Sequence, residues 1–133
     1  MSDPVELGFR QRLTAMFGGE LGGRVFENAA PPDTPLPYAT YRRVSPGADE
    51  YGLRRARLQV VLVGEEYAAV KRLQGAVEAA LGGVRREWMS GAGIDCPVWV
   101  YRIRAVTMPD VYQSSTRRRL AISDFDILYG DGR

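Results

Sequence analysis

The sequence has 133 residues, which is enough for one domain with one hydrophobic core and too short for two. Apolar residues make up 45% of it and charged residues 26%, a balance that predicts a folded protein rather than disorder. The net charge of +2 is too small to indicate nucleic-acid binding by itself, and no apolar run approaches the roughly 18 residues of a membrane span.

The N-terminal segment has the pattern of an amphipathic helix. Asp3 can cap it, a proline follows in the first turn, and Glu6 stands at the capping-box position. Its apolar residues recur at helical spacing, at Phe9, Leu13, Met16 and Phe17. The glycines Gly18 and Gly19 predict the end of the helix, and a short strand is expected around residues 23–28.

A proline-rich loop and two strands follow. Residues 31–37 supply too few amide donors for a helix or an interior strand. Strands are predicted at residues 38–45 and 53–63, joined by a hairpin loop with turn residues at 46–49. The second strand alternates, with Ala56, Leu58, Val60 and Leu62 on one face and Arg55, Arg57 and Gln59 on the other.

Residues 65–81 predict the clearest helix of the chain. Its apolar stripe consists of Tyr67, Val70, Leu73, Val77 and Leu81. Glu65 and Glu66 lie in the first turn, where the helix dipole favours negative charge, and Gly82 follows the last turn.

The last third of the chain predicts more sheet. Residues 84–95 show no clear pattern beyond a short strand before a glycine-containing turn. Two long strands are predicted at 97–108 and 118–129, joined by a polar loop around residues 112–116. We therefore expect an α+β fold in a single domain spanning residues 1–133, with a mostly antiparallel sheet of four to five strands and two main helices packed on one face.

The last two strands can be aligned by their side chains. The favoured register pairs Trp99 with Ile127, Tyr101 with Phe125, and Arg102 with Asp124. This register places the four apolar residues in the core and the charged pair on the outer face. A shift by one residue would bury carboxylates beneath aromatic rings without compensation.

Few residues of this chain suit catalysis. There is no histidine, which excludes Ser-His-Asp and Cys-His catalysis and ordinary zinc sites. Cys96 is the only cysteine, which fits a reducing compartment and a core or strand-edge position. Lys71 is expected to be solvated, and no glycine pair is followed by the Lys-Ser/Thr of a phosphate loop. We expect no enzyme activity, no cofactor and no metal.

The charged residues allow more than one interpretation. Asp124 and Asp126 share a strand face, which suits either acid–base or metal chemistry or, as favoured here, cross-strand pairing with arginine. The arginine-rich strips suit either a solvated face or a subunit interface or channel wall that meets DNA phosphates. Arg43, Arg55 and Arg57 are expected to share one sheet face, with Tyr38, Thr40, Ala56, Leu58 and Val60 on the other. The predicted interface residues are Arg43, Arg55, Arg57, Arg102, Asp124 and Asp126.

Several features follow one another in a recognisable order. They are glycines before Gly23-Arg24-Val25-Phe26, a proline-rich loop ending in Pro37-Tyr38, a strand at 58–63, an amphipathic helix at 68–81 and a final strand at 120–128. In this order they resemble the tail-completion, or tail terminator, proteins of long-tailed bacteriophages and of related prophages and gene transfer agents. The resemblance covers most of the chain, and residues 85–97 depart from it.

The resemblance implies an α+β subunit that assembles into a hexameric ring on the end of the tail tube. Such a ring stops tube growth and presents a surface to the head-completion proteins of the neck. Genomic DNA passes through the hole without sequence-specific binding. The protein would be made in the host cytoplasm and reside in the virion, with no membrane partner. A head–tail connector of the neck and a small nucleic-acid-binding module remain open as alternatives.

Overall fold

A computed structural model describes residues 4–45, 53–89 and 98–130. In chain order its elements are α1 (Pro4–Leu21), β1 (Val25–Glu27), β2 (Tyr38–Ser45), β3 (Arg54–Gly64), α2 (Tyr67–Leu81), β4 (Arg85–Met89), β5 (Val98–Thr107), β6 (Val111–Gln113) and β7 (Arg118–Gly130). Neither helix in these ranges is long and apolar enough to cross a membrane. The predictions for Asp3, for the turn at residues 46–49 and for Cys96 lie outside the described residues.

The described strands form one sheet with the order β1-β2-β3-β7-β5-β4, and β6 pairs with β7 beside this path. Only the pairing of β1 with β2 is parallel among them, so the predicted α+β class and mostly antiparallel sheet are confirmed. The predicted count of four to five strands is too low, because the sheet has seven. The short strand β6 lies in the segment predicted as a polar loop, where three residues carry too little alternation to reveal a period.

The helix α1 extends past its predicted end. Gly18 and Gly19 remain inside it, where no neighbouring atom crowds them, and a helical glycine costs only about 1 kcal/mol relative to alanine. The backbone of Phe17 departs from helical angles, with φ −124° and ψ 15°. The helix ends at Leu21, and Gly22 and Gly23 follow it with φ angles of 58° and 74°, which favour glycine.

The helix α2 buries most of its predicted stripe. Val70, Val77 and Leu81 are buried, and Leu73 packs against the core. Tyr67 does not join them, since it is 51% exposed in the first turn of the helix.

Gln74 takes a core position on α2 that the apolar pattern does not predict. It is 2% exposed, and its Nε2 donates hydrogen bonds to the Ile122 carbonyl at 3.0 Å and to Ser123 Oγ at 3.1 Å. Ser123 Oγ in turn donates to Glu78 Oε1 at 2.7 Å. These bonds satisfy polar atoms that would otherwise be costly to bury between α2 and β7.

Lys71 is partly exposed, as expected, but its ammonium group is also held by two side chains. Its Nζ lies 3.0 Å from Asp110 Oδ1 and donates a hydrogen bond of 2.5 Å to Gln74 Oε1. The lysine therefore joins α2 to the segment that precedes β6.

Both helices pack on the same face of the sheet, as predicted. α2 contacts β3, β5 and β7, while α1 contacts β1, β2, β4 and α2. The rings of Phe9 on α1 and Phe125 on β7 are fully buried, with centroids 5.1 Å apart. Other large side chains with almost no exposed surface are Leu13, Leu21, Leu58, Leu81, Ile103 and Ile127.

The predicted register of the last two strands is wrong. Arg102 pairs with Leu128 instead of Asp124, a shift of four residues, and Arg104 pairs with Asp126. The pairing also changes between Val100 and Arg102, where β5 contains a bulge.

The bulge explains why only two of the four predicted core residues on these strands lie in the core. Phe125 and Ile127 are fully buried as predicted, but Val100 takes the core position on β5. Trp99 and Tyr101 are only partly buried, so their prediction as core residues is wrong. An extra residue in one strand interrupts the alternation of side chains, and strict alternation was the basis of the prediction.

Arg12 of α1 contacts the outermost strand on the β4 side of the sheet. Its Nη1 lies 2.7 Å from Glu87 Oε2, and its Nη2 donates to the Trp88 carbonyl at 3.3 Å. The helix is thereby attached both to a side chain and to the backbone of β4.

Candidate functional site: the open face of the sheet

The side of the sheet opposite α1 and α2 is the candidate functional surface, and we call it the open face. Residues such as Leu58 and Phe125 point to the helices, so the residues between them point to the open face. The charged and amide side chains of the open face include Arg42, Arg55, Arg57, Gln59, Arg102, Arg104, Arg118, Asp124 and Asp126. Six arginines against two aspartates among these residues make this surface positively charged.

Three open-face side chains on neighbouring strands form a hydrogen-bonded row. Arg42 Nη2 donates to Gln59 Oε1 at 3.3 Å, and Gln59 Nε2 donates to Asp124 Oδ1 at 3.2 Å. The glutamine therefore links an arginine on β2 to a carboxylate on β7. Asp124 is fixed by an amide and not, as predicted, by a cross-strand arginine.

Asp126 lies between two arginines along the strand pairings. It is opposite Arg57 on β3 and opposite Arg104 on β5. Among the described residues, no ion pair within 4 Å engages any of these three side chains. The described residues also contain no group of three or more potential acidic or thiol metal ligands. The Asp126 carboxylate is thus available to a binding partner.

The structure places five of the six predicted interface residues on the open face. Arg55, Arg57, Arg102, Asp124 and Asp126 lie there, as the strand pairings show.

Arg43 is the exception, and its predicted position beside Arg55 and Arg57 is wrong. It pairs with the core residue Leu58, so it lies on the helix side of the sheet, and its Nη1 is 3.6 Å from Glu6 Oε1 of α1. The faces of β2 were inverted in the prediction because both faces of this strand carry a buried tyrosine. Tyr41 is buried under the helices, and Tyr38 is buried on the opposite side.

An aromatic cluster at the β4 edge was not predicted as a unit. The Trp88 and Trp99 rings lie 5.2 Å apart, and the Trp99 and Tyr101 rings lie 6.4 Å apart, both edge to face. Trp88 is 50% exposed, so this cluster presents aromatic surface next to the arginines of β5. Spacing along one strand could not reveal it, because Trp88 belongs to a different strand from the other two.

Two solved structures share the fold of this chain. A chain of the virion of a native gene transfer agent particle has a TM-score of 0.55 and 17% identity, with 88% of this chain and 83% of that chain covered. A second solved structure has a TM-score of 0.59 and 15% identity, with 97% and 94% covered. No curated protein matches the chain.

A protein-family model gives the identification. The model described as tail completion protein gp17 matches residues 9–130, which confirms the resemblance seen in the sequence. Because the match spans most of the chain, the protein belongs to the tail completion protein gp17 family.

Proposed function

We propose that the protein, as a single tail-terminator-like domain, forms a closed ring of six subunits that caps the tail tube. Family membership over residues 9–130 is the observation that carries this proposal. The ring ends growth of the tube and offers the attachment surface for the head-completion proteins of the neck. The protein therefore acts at the neck end of the virion tail, after assembly in the host cytoplasm.

The open face supplies a surface suited to this role. A closed ring needs two different, complementary patches on each subunit, and a DNA channel needs a wall. No hydrogen bond or ion pair among the described residues engages the side chains of Arg55, Arg57, Arg102, Arg104 or Asp126. We propose that these charges meet a neighbouring subunit or the genomic DNA that passes through the ring, without sequence-specific contacts.

Assembly on tail tubes is the primary test. Purified protein should form rings at high concentration, or on the ends of purified tubes, when observed by light scattering and electron microscopy. A protein that stays monomeric and never decorates tube ends would refute the proposal. Location on the capsid side of the neck, away from the tube end, would instead identify a head–tail connector.

Reversal of one open-face charge separates the two roles proposed for this surface. Arg57→Glu should prevent ring formation if the open face is a subunit contact. If the open face is a channel wall, rings should form but duplex DNA binding should weaken and its salt dependence flatten. Arg54→Glu is the matched control, because Arg54 is exposed on the same strand and pairs with the helix-side residue Tyr129. Wild-type behaviour of Arg57→Glu in both assays would exclude the open face from either role.

A further inference from the structure

Two surfaces lie on opposite flanks of α2, apart from the charged residues of the open face. The first is a groove between α2, the end of α1 and the proline-rich loop, lined by Phe17, Leu36, Pro37, Ala69, Leu73 and Ala76. The second is the exposed hairpin of β6 and β7 on the other flank of α2, where residues 111–117 are all exposed. Tyr67 of α2 and Arg119 border a recess of about 190 Å³ at the base of this hairpin. We refer to them below as the groove and the knob.

The groove is apolar inside and charged at its rim. Its volume is about 500 Å³, and aliphatic, proline and phenylalanine side chains dominate its lining. Glu65, Glu66 and Arg72 border the groove, where all three are exposed and no hydrogen bond or ion pair among the described residues engages their side chains. Together they give the rim a net charge of −1, from two carboxylates and one guanidinium.

The knob and its base carry the side chains that most often dominate protein interfaces. Tyr67, Val111 and Tyr112 are exposed by 51%, 44% and 52%. The Arg119 guanidinium carbon lies 4.5 Å from the centre of the Tyr112 ring and 5.4 Å from that of Tyr67. Tyrosine and arginine are enriched at binding hot spots, and a stacked arginine has already lost much of its side-chain freedom.

The knob is held in place although it lies outside the main sheet. β6 pairs with β7 and with no other described strand. The ion pair of Lys71 with Asp110 fixes its base to α2, and Thr116 Oγ1 donates to Gln113 Oε1 at 3.2 Å across its tip. A partner surface held in position loses less conformational entropy when it binds.

We propose that the knob of one copy inserts into the groove of the next copy. Val111 and Tyr112 project from opposite faces of the hairpin, so insertion of the hairpin would bring both side chains against the walls of the groove. Arg117 near the tip of the hairpin would face the acidic rim. Knob and groove are different patches on opposite flanks of α2, so the contact is head to tail and leaves both patches available at the ends of a growing chain. This contact rests on the proposed ring, because only repetition around a closed circle satisfies every knob and every groove.

Site-specific cross-linking tests the contact directly. The starting protein carries Cys96→Ser, which removes the single cysteine of the sequence. Gln113→Cys then places a thiol on the knob, and Ala76→Cys places one in the groove. A short bismaleimide should convert this double-cysteine protein into a ladder of dimers, trimers and higher species. Each single-cysteine protein should give no ladder, since a head-to-tail contact needs both thiols.

A control pair of cysteine substitutions tests whether the hairpin contacts the groove itself or another part of α2. Gln113→Cys combined with Ala79→Cys also places one thiol on the hairpin and one on α2. Ala79 is exposed, but it lies outside the groove. This control pair should give at least about tenfold less cross-linked product than the groove pair. Equal ladders from both pairs, or a ladder from neither at concentrations that allow assembly, would overturn the proposal.

Blocking the groove separates this contact from the ring proposal. Ala69→Arg adds bulk and positive charge to the groove, and it should raise the concentration needed for assembly by at least about tenfold. Ala79→Arg should assemble like the wild type. Rings that form normally with Ala69→Arg and without cross-links would refute the knob-and-groove contact while leaving the ring in place. Cross-links without closed rings would support the contact and refute the ring.

Discussion

At the scale of single residues, Gln74 shows how much the buried interface between α2 and β7 depends on polar bonds. Gln74→Ala should lower the free energy of unfolding by about 1–3 kcal/mol, because the Ile122 carbonyl and the Ser123 hydroxyl lose their buried donor. Urea unfolding measures this change. Gln113→Ala is the control, since Gln113 is exposed and should change stability by no more than about 0.5 kcal/mol. Equal effects of the two substitutions would contradict the importance of the Gln74 bonds.

Tyr41 should make stability depend on pH in alkaline solution. Burial raises the pKa of the Tyr41 phenol above its ordinary value of 10.0, although nearby Arg10 opposes this shift. Above pH 10 the unfolded chain loses the phenol proton first, so the stability that this group contributes is lost as the pH rises through the folded-state pKa.

Tyr41→Phe should therefore reduce the fall in unfolding free energy between pH 9 and pH 11, one unit on either side of the ordinary value of 10.0. Urea unfolding at the two pH values gives the slope. Tyr112→Phe removes an exposed phenol and should keep the wild-type slope. An unchanged slope for Tyr41→Phe would show that burial of this phenol is not linked to stability.

Asp126 should matter more for assembly than for folding. Asp126→Ala removes a carboxylate that has no side-chain partner among the described residues, so the melting temperature of the subunit should change little. Ring assembly, measured by sedimentation, should weaken because Arg57 and Arg104 lose the negative charge that lies opposite both of them.

Asp124→Ala provides the comparison on the same strand. It breaks the hydrogen bond from Gln59, so it should lower the melting temperature more than Asp126→Ala does. If the open face is a subunit contact, Asp124→Ala should still weaken assembly more than it weakens folding. If a variant has a lower melting temperature but assembles like the wild type, the carboxylate it lacks has a purely structural role.

The sequence alone predicts which sheet face the charged side chains of β3 and β7 occupy, but it does not predict the face of Arg43 on β2. Residues 55–60 of β3 and 124–127 of β7 alternate between polar and apolar types, which fixes one face for Arg55, Arg57 and Asp126. On β2 the alternation is ambiguous because Tyr38 and Tyr41 are separated by three positions and are both buried. Contacts with α1 decide the face of Arg43, and such tertiary contacts leave no periodic signal.

At the scale of elements, β5 shows the limit of alignment by alternation. Val98 and Val100 pack against the core on one side of the bulge, and Ile103 does so on the other. No residue type in this segment requires a bulge, so a strict alternation was the simplest prediction and gave the wrong register. The helices were easier to predict because α2 repeats its apolar period over four turns.

The hairpin of β6 and β7 should change its protection when subunits assemble. Residues 111–117 are all exposed, and β6 has only one neighbouring strand in the described structure. Their amides should exchange hydrogen quickly in the free subunit and more slowly in the ring or on the tube, as measured by mass spectrometry. Amides of the central strand β3 serve as the internal control. Equal exchange of 111–117 in both states would contradict this prediction, and the same expectation for residues 46–52 lies outside the described residues.

At the scale of the whole molecule, the order of elements in the sequence was enough to predict the fold class and the family. The knob and the groove could be found only in the structure. The family resemblance needed only glycines, a proline-rich loop, a strand and a helix in sequence. The groove and the base of the knob join residues from distant segments, such as Phe17 with Ala76 and Tyr67 with Tyr112. Their juxtaposition depends on the packing of α2 between α1 and the hairpin, which no local pattern encodes.

The contact of Arg12 with β4 has a consequence for how copies of this protein can join. An exposed outer strand is a template on which a strand of another molecule can add, and repeated addition produces fibres. The Arg12 guanidinium occupies the Trp88 carbonyl, and the opposite outer strand, β1, offers only three residues. Addition of a strand is therefore less favourable at β4 and at β1 than at a long, unoccupied outer strand. In the proposed ring, copies would therefore associate through side chains. The shape and charge of side chains can set a fixed angle between neighbours, and a fixed angle allows a chain of subunits to close into a circle.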